Sequence, residues 1–260
     1  MTCSLIITTY NWPEALELVL LSALNQKELP DEIIIADDGS KDETRNLIQK
    51  YAETSIVPII HSWQQDKGFR LAHSRNRAIS KSSSDYIIVV DGDMVLDENF
   101  IFDHLSCAQK GVYIQGSRVL LMDGISKTLI KNKKIQKLSL FSKDIKNKLN
   151  MIRIPLITKL YCYFENKKLK GIRGCNFSLY KSDIYAVNGF NEEFVTWGKE
   201  DSEFVQRLYN SGVKRKNLKF SGTQYHLYHT EGNASNNNIT LLNTTINNNI
   251  KWCNNGLDKY

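Results

Sequence analysis

Apolar residues in this chain fall into short β-branched runs separated by stretches of helical spacing. Residues 3–9 (Cys-Ser-Leu-Ile-Ile-Thr-Thr) predict a strand apolar enough to be buried on both faces. Asn11 is placed to cap a helix with Pro13 in its first turn. Ala15, Leu16, Val19, Leu20 and Ala23 carry that helix to about Gln26. Pro30 breaks the pattern, and 32–36 predict a second strand. A helix over 42–53 follows, with Leu47, Ile48 and Tyr51 on its inner face. Residues 56–61 predict a third strand, 71–82 a helix, and 86–90 (Tyr-Ile-Ile-Val-Val) a fourth strand. Strand and helix alternating in this way is the signature of an α/β domain with a parallel core.

The second half is less regular. Residues 97–109 read as helix and 111–121 as strand, and then the pattern degrades over 125–170. Regular spacing resumes with a strand over 176–180, a short helix over 181–187, and an amphipathic helix over 201–211. That last helix places Phe204, Val205, Leu208 and Tyr209 inward. A last strand is expected over 224–228. After Gly232 the chain is rich in asparagine, which predicts a mobile tail with a terminal helix around 241–252. These changes divide the chain into 1–124, 125–170, 171–232 and 233–260.

Charge sharpens this division. The net charge of the 260 residues is +6, but 127–170 hold 13 of the 34 basic residues and 2 of the 28 acids. That segment is therefore +11 and the remainder −5. So local a field does not describe a nucleic-acid binder; it describes a surface for an acidic partner. Ile145, Leu149, Ile152, Ile154, Leu156 and Ile157 supply a candidate apolar face, which makes an anionic membrane one such partner. Near such a surface each basic residue contributes roughly 1 kcal/mol. The alternative is a solvated helical insertion. There is no uncharged apolar run of about 18 residues, so no membrane span is expected. The N-terminus enters a strand directly, so no signal peptide is expected either. Five widely spaced cysteines without metal-site spacing fit reduced thiols in the cytoplasm.

Polar clusters gather where the strands end. Thr8-Thr9-Tyr10-Asn11 follows the first strand, Asp37-Asp38-Gly39-Ser40 the second, and Asp91-Gly92-Asp93 the fourth. In a parallel sheet these three share the carboxyl edge, where open α/β sheets bind ligands. The sequence from Gly68 to Asn76, which includes Arg75, opens the third helix. Trp197-Gly198-Lys199-Glu200-Asp201 opens the amphipathic one. Two carboxylates one residue apart suit a hard cation carrying a diphosphate. Taken alone, Asp91-Gly92-Asp93 also reads as a polar turn. Glu200 and Asp201 also read as acids favoured by a helix dipole, and Cys175 as a buried thiol.

Leu5 to Asn11, Ile34 to Ser40 and Asp91-Gly92-Asp93 resemble the opening strand, the nucleoside-binding strand and the DxD motif of family-2 glycosyltransferases. Gly68 to Asn76 and Trp197 to Asp201 are similar to the chondroitin polymerase and hyaluronan synthase branch, and the latter also to the β-1,4-galactosyltransferases. The resemblance implies a GT-A fold: a mixed, mostly parallel sheet flanked by helices, in one domain with a basic helical insertion at 125–170. On this reading 1–124 bind the nucleotide sugar and 171–232 bind the acceptor and carry the catalytic acids.

The resemblance further implies an inverting, metal-dependent transfer from a UDP-sugar to a glycan or lipid-linked glycan, in bacterial surface polysaccharide synthesis. Such an enzyme would be cytoplasmic or peripheral on the inner face of the membrane. Thr8, Tyr10 and Asp38 would hold the uridine, with Asp37 beside it, and Thr9, Gly68 and Gly92 would join them in binding the nucleotide sugar. Arg75 would lie near the nucleotide and its phosphates, Asp91 would contact the ribose or the metal, and Asp93 would ligate the metal. Asp93, Asp91 and His226 would ligate Mn2+ or Mg2+, with His229 as a competitor for the histidine role. Asp201 would be the base and Glu200 its positioning neighbour. Gly174, Asn176, Trp197 and Gly198 would face the acceptor or the donor sugar. A nucleotidyltransferase on the same half, or an inactive glycan-binding protein, are the other classes weighed.

Overall fold

The computed structural model describes residues 1–134, 138–166, 168–230 and 235–260. The first half alternates as expected. Its elements are β1 (Cys3–Thr9), α1 (Pro13–Leu24), β2 (Glu32–Asp37), α2 (Asp42–Thr54), β3 (Ile59–Trp63), α3 (Leu71–Lys81) and β4 (Tyr86–Asp91). There follow β5 (Met94–Leu96), α4 (Phe100–Ser106), β6 (Val112–Gln115), β7 (Val119–Leu121) and α5 (Asp123–Asn132). The basic segment continues with β8 (Ile145–Lys146) and α6 (Pro155–Tyr161). The rest of the chain forms β9 (Asn176–Tyr180), α7 (Lys181–Tyr185), α8 (Glu200–Asn210), β10 (Lys214–Asn217), β11 (Gln224–His226) and α9 (Asn236–Asn247).

The main sheet has the order β10-β6-β9-β4-β1-β2-β3, and among these β9 runs against its neighbours. Strands from both sides of the basic segment share this sheet, so the two halves are one folding unit. Every residue of β1 and β2 is buried, which is why both read as uninterrupted apolar runs. Their side chains alternate between two cores. Leu5, Ile7, Ile33, Ile35, Ile88 and Val90 pack with α1 on one face. Ile6, Ile34, Ile87 and Val89 pack with residues of α3 and α8 on the other.

The register aligns Thr8 with Asp91 and Thr9 with Asp37. The ends of β1, β2 and β4 therefore do meet at one edge. A second sheet, in the order β5-β11-β7-β8, stands beside that edge. Within it β11 pairs antiparallel with β5, His226 lies opposite Met94, and the Leu227 amide donates to the Asp93 carbonyl at 3.0 Å. The last strand thus returns to the residues that follow β4.

Several expectations need correction. The single strand expected over 111–121 is two strands in different sheets, because Gly116-Ser117-Arg118 turns the chain from β6 to β7. β5 and β10 carried no recognised signal. β10 reads Lys-Arg-Lys-Asn, and as an edge strand it buries only the Arg215 side chain. Asn11 does not cap α1. It sits at φ 48° and its Oδ1 accepts from the Lys41 amide at 2.9 Å, tying the β1 exit to the loop after β2. In the basic segment Ile145 belongs to the core rather than to an exposed apolar face. In the tail expected to be mobile or late-ordering, the helix expected around 241–252 is present but earlier, as α9 packed against α8, with Asn238 and Thr245 buried. Beyond α9, Cys253 and Leu257 are buried too. The expected boundary at 232–233 lies outside the described residues. No helix among the described residues is long and apolar enough to cross a membrane.

Candidate active site

Two adjoining clefts open at the carboxyl edge of the main sheet. The first, about 370 Å³, is lined by Thr8, Thr9, Tyr10, Asp38 and Gly68. The second, about 320 Å³, is lined by Arg75, Gly174, Gly198, Glu200, Asp201 and His226. Asp91, Asp93, Trp197 and His229 line both and form the wall between them.

In the first cleft, Thr8 Oγ1 donates to Asp91 Oδ1 at 2.8 Å, joining the ends of β1 and β4. Gly92 lets the strands close in: a Cβ there would lie 2.4 Å from the Thr8 carbonyl oxygen. Tyr10 is 52% exposed, and its hydroxyl donates to Asp66 at 3.0 Å, holding the ring at the cleft mouth. The neighbouring aspartates part company, as alternate residues at a strand end do. Asp38 faces the cleft, where its carboxylate accepts from Gln64 Nε2 and, at 2.8 Å, from the Arg70 amide. Burial pushes its pKa up, with those two hydrogen bonds opposing. Asp37, expected beside the nucleoside, turns away. Its side chain is fully buried, accepts from the Gly39 and Ser40 amides at 3.1 and 2.7 Å, and meets His61 at 2.8 Å. Its work is to hold the turn.

The wall between the clefts carries the candidate metal set. Asp93 Oδ2 lies 3.3 Å from His226 Nε2 and 3.0 Å from His229 Nε2, and the two imidazole nitrogens are 3.0 Å apart. These three groups offer ligand atoms all within 4.8 Å of one another. The other carboxylate oxygen of Asp93 is buried without a hydrogen-bond partner. Burial works against ionising Asp93, but the two histidines prevail and hold its carboxyl well below the usual range. One carboxylate with two imidazoles fits a divalent transition ion, and fits Mn2+ better than Mg2+. His226 and His229, posed as rivals by the sequence, converge together. Asp91, expected as a third ligand, is not part of this trio. Its Oδ1 is engaged by Thr8 and, at 3.1 Å, by Arg75 Nη2. Trp12, which no sequence signal singled out, packs edge-on against His229 at 6.1 Å.

Arg75 organises the second cleft. It is 1% exposed and donates to Asp91 and to the Gly174 carbonyl at 3.3 Å, while Nη1 lies 3.8 Å from Glu200 Oε1. Gly174 was expected to leave room for a sugar, but the room is taken by Arg75: a Cβ at 174 would lie 2.6 Å from Nη2. Asn176, expected at the acceptor, is 1% exposed. It is bonded to His104 at 2.9 Å and to the Ser117 carbonyl at 2.8 Å, so it braces the sheet. The Cys175 thiol is buried, bonded by Gln224, and pushed up to about 12 by burial, which agrees with an inert thiol.

Glu200 and Asp201 begin α8. Burial pushes the Glu200 carboxyl up to about 7, aided by Asp201 and opposed by Arg75, and its Oε2 is buried without a partner. Burial also raises Asp201, against Arg75 and the amides of Ser202 and Gly174, which donate to it at 2.6 and 2.8 Å. The preceding turn is strained: Gly198 has φ 97° and Lys199 φ 76°. It presents Trp197, 44% exposed, to both clefts.

The glycosyl transferase family 2 model matches residues 4–184, and the model described as the N-terminal domain of galactosyltransferase matches 155–230. Chondroitin synthase of Escherichia coli is 26% identical over 231 residues, covering 80% of this chain and 32% of that protein. Hyaluronan synthase of Pasteurella multocida is 26% identical over 235 residues, covering 80% and 23%. The chain thus spans a third or less of the length of these relatives. Among solved structures, S. aureus TarS 1–349 in complex with UDP superposes with a TM-score of 0.65 at 16% identity, over 100% of this chain and 68% of that one. The mannosyltransferase PcManGT of Pyrobaculum calidifontis, in complex with GDP-Man and Mn2+, gives 0.60 at 15% identity, over 88% and 58%. These neighbours establish the fold as GT-A. With a family model covering more than half of its residues, the chain belongs to glycosyl transferase family 2.

Proposed function

We propose that this protein moves a sugar, with inversion, from a UDP-sugar to a hydroxyl of a glycan or lipid-linked glycan. The observation that carries the proposal is the convergence of Asp93, His226 and His229 on the wall between the two clefts. One cleft has the aromatic and carboxylate groups to hold a nucleoside, and the other has a pair of adjacent acids, Glu200 buried and Asp201 half-buried. Tyr10, Thr9 and Asp38 hold the base and ribose, with Gly68 at the rim. Arg75, anchored by Asp91, faces the diphosphate. Asp93, His226 and His229 would hold a divalent ion, whose charge would stabilise the leaving diphosphate. Asp201 takes the proton of the acceptor hydroxyl as its oxygen bonds to the anomeric carbon and the bond to the diphosphate breaks on the opposite face. Burial raises the basicity of Asp201 for this step. Glu200 positions a sugar hydroxyl, and Trp197 and Gly198 provide its platform.

The names of the relatives, both polysaccharide synthases, support a role in building a bacterial surface polysaccharide such as lipopolysaccharide or capsule. The test is release of UDP from UDP-glucose, UDP-galactose, UDP-GlcNAc and UDP-GalNAc with Mn2+ and with a chelator. One donor should be hydrolysed, and chelation should abolish that reaction. Asp201→Asn should lower transfer to an acceptor by about 10²–10⁴-fold while donor binding survives. Full transfer by Asp201→Asn or by Asp93→Ala would sink the mechanism.

A further inference from the structure

An exposed apolar surface lies outside the two clefts, on α6 and the turn after it. Leu156 is 82% exposed, Leu160 59%, Tyr163 80% and Phe164 62%. Leu156 and Leu160 are one helical turn apart, so they share a face of α6. Within α6 only Thr158 is buried.

This exposure is not a sign of a loose segment. Thr158 Oγ1 donates to the carbonyls of Lys219 and Phe220 at 2.9 and 3.0 Å, and the Ile154 amide donates to Phe220 at 2.8 Å. Just ahead of the helix, Arg153 forms a fork on Asp103, with Nη2 to Oδ1 at 2.6 Å. Behind it, Cys162 packs against the small core of Cys107, Val112, Ile114 and Leu218. The inner side of α6 is therefore fixed by polar bonds, and its apolar side is left outward.

The electrostatic setting decides between occupants. The segment 127–170 is +11, so a second copy docking face to face would bring like charges together. Of its two acids, Glu165 is already engaged by Lys214. An apolar ridge tipped by Tyr163 and Phe164, with Lys159 exposed beside it, matches the interface of an anionic bilayer. Aromatic rings settle at headgroup depth there, and lysines meet the lipid charge.

We infer that α6 and the Tyr163-Phe164 turn form a docking ridge for an anionic lipid surface. Because the ridge is already ordered, docking costs little conformational entropy. The ridge is also linked to the active site. Asn150, which precedes it, donates to the Arg118 carbonyl at 2.9 Å, and Arg118 lines the second cleft. Docking would therefore hold that cleft at a fixed attitude to the membrane, as a lipid-linked acceptor requires.

The test needs no transfer activity, so its outcome is separable from that of the proposed reaction. The protein is sedimented with vesicles of phosphatidylcholine alone and with vesicles containing phosphatidylglycerol. Retention is expected on the phosphatidylglycerol vesicles at low salt, with marked loss at high salt. The combined variant Leu156→Ser, Leu160→Ser, Tyr163→Ser, Phe164→Ser should lose about tenfold or more of that retention. Its far-ultraviolet circular dichroism and UDP binding should match the parent, since all four side chains are exposed. Equal retention of parent and variant would overturn the inference, as would no retention of the parent or equal retention on neutral vesicles. Concentration-dependent dimers abolished by the same substitutions, without vesicle binding, would assign the ridge to a second copy instead.

Discussion

At the scale of residues, Glu200 carries the most consequential perturbation. Its carboxyl is raised from 4.5 to about 7 by burial and by Asp201. The folded protein therefore holds a proton there that the unfolded chain has released. Stability falls as pH rises from about 4.5 through about 7. Glu200→Gln removes that slope, and the variant should gain about 1–3 kcal/mol relative to the parent at neutral pH. Urea unfolding of both proteins at acidic and neutral pH measures this, and parallel pH dependences would refute it. The positions at this scale were largely legible in the sequence. Strand period and helix spacing placed residues at the ends of β1, β2 and β4 and the acids opening α8, while their expected roles came from the family resemblance. Facing was not legible. Which of Asp37 and Asp38 meets the cleft depends on where β2 lets go of the sheet, and Gln64, which holds Asp38, follows β3. That Gly174 makes room for Arg75, 99 positions away in sequence, is likewise a packing fact.

At the scale of elements, the surprises cluster where local pattern is weak. β5 is three residues long and β10 has no apolar alternation, and both exist because a neighbour offers a free edge. α9 lies in an asparagine-rich stretch that composition alone assigns to a tail, yet Asn238 gives it a specific task. The Asn238 side chain is fully buried, and Nδ2 donates to the carbonyls of Thr196 and Gly198 at 2.8 and 2.6 Å, with Trp197 at 3.4 Å. Thr196 answers with its hydroxyl to Asn238 Oδ1 at 3.2 Å. The strained turn that carries Trp197 is thus clamped from α9. Asn238→Ala should leave buried carbonyls unpaired, a loss of about 1–3 kcal/mol. The turn should loosen, and the acceptor KM should rise about tenfold, while hydrolysis of the donor alone changes little. Equal losses in both assays would mean that Asn238 serves only the fold.

At the scale of the whole molecule, the main sheet supplies the cleft floor and the second sheet supplies His226, with His229 just beyond its strand. The α/β character of the first half was legible because its strands are buried on both faces. The second sheet was legible only in part: a strand over 224–228 was expected, but β5 and β8 are short and the sheet draws on distant parts of the chain. Joining two sheets at one ion should couple binding to global stability. Mn2+ at about 100 times its Kd should stabilise the parent by about 2.7 kcal/mol, read as a higher unfolding temperature. Asp93→Ala should show no such rise; an equal rise would place the ion elsewhere. The return of β11 to β5 also has a consequence for how the protein is made. A ribosome delivers β1 to β5 long before residues 226–229 emerge, and domains begin to fold as they are synthesised. A nascent chain that has reached β5 therefore lacks β9 and β10 of the main sheet as well as two of its three candidate ligands. On the proposed mechanism, prematurely terminated chains would be unable to capture the ion, and so unable to spend activated sugar on water.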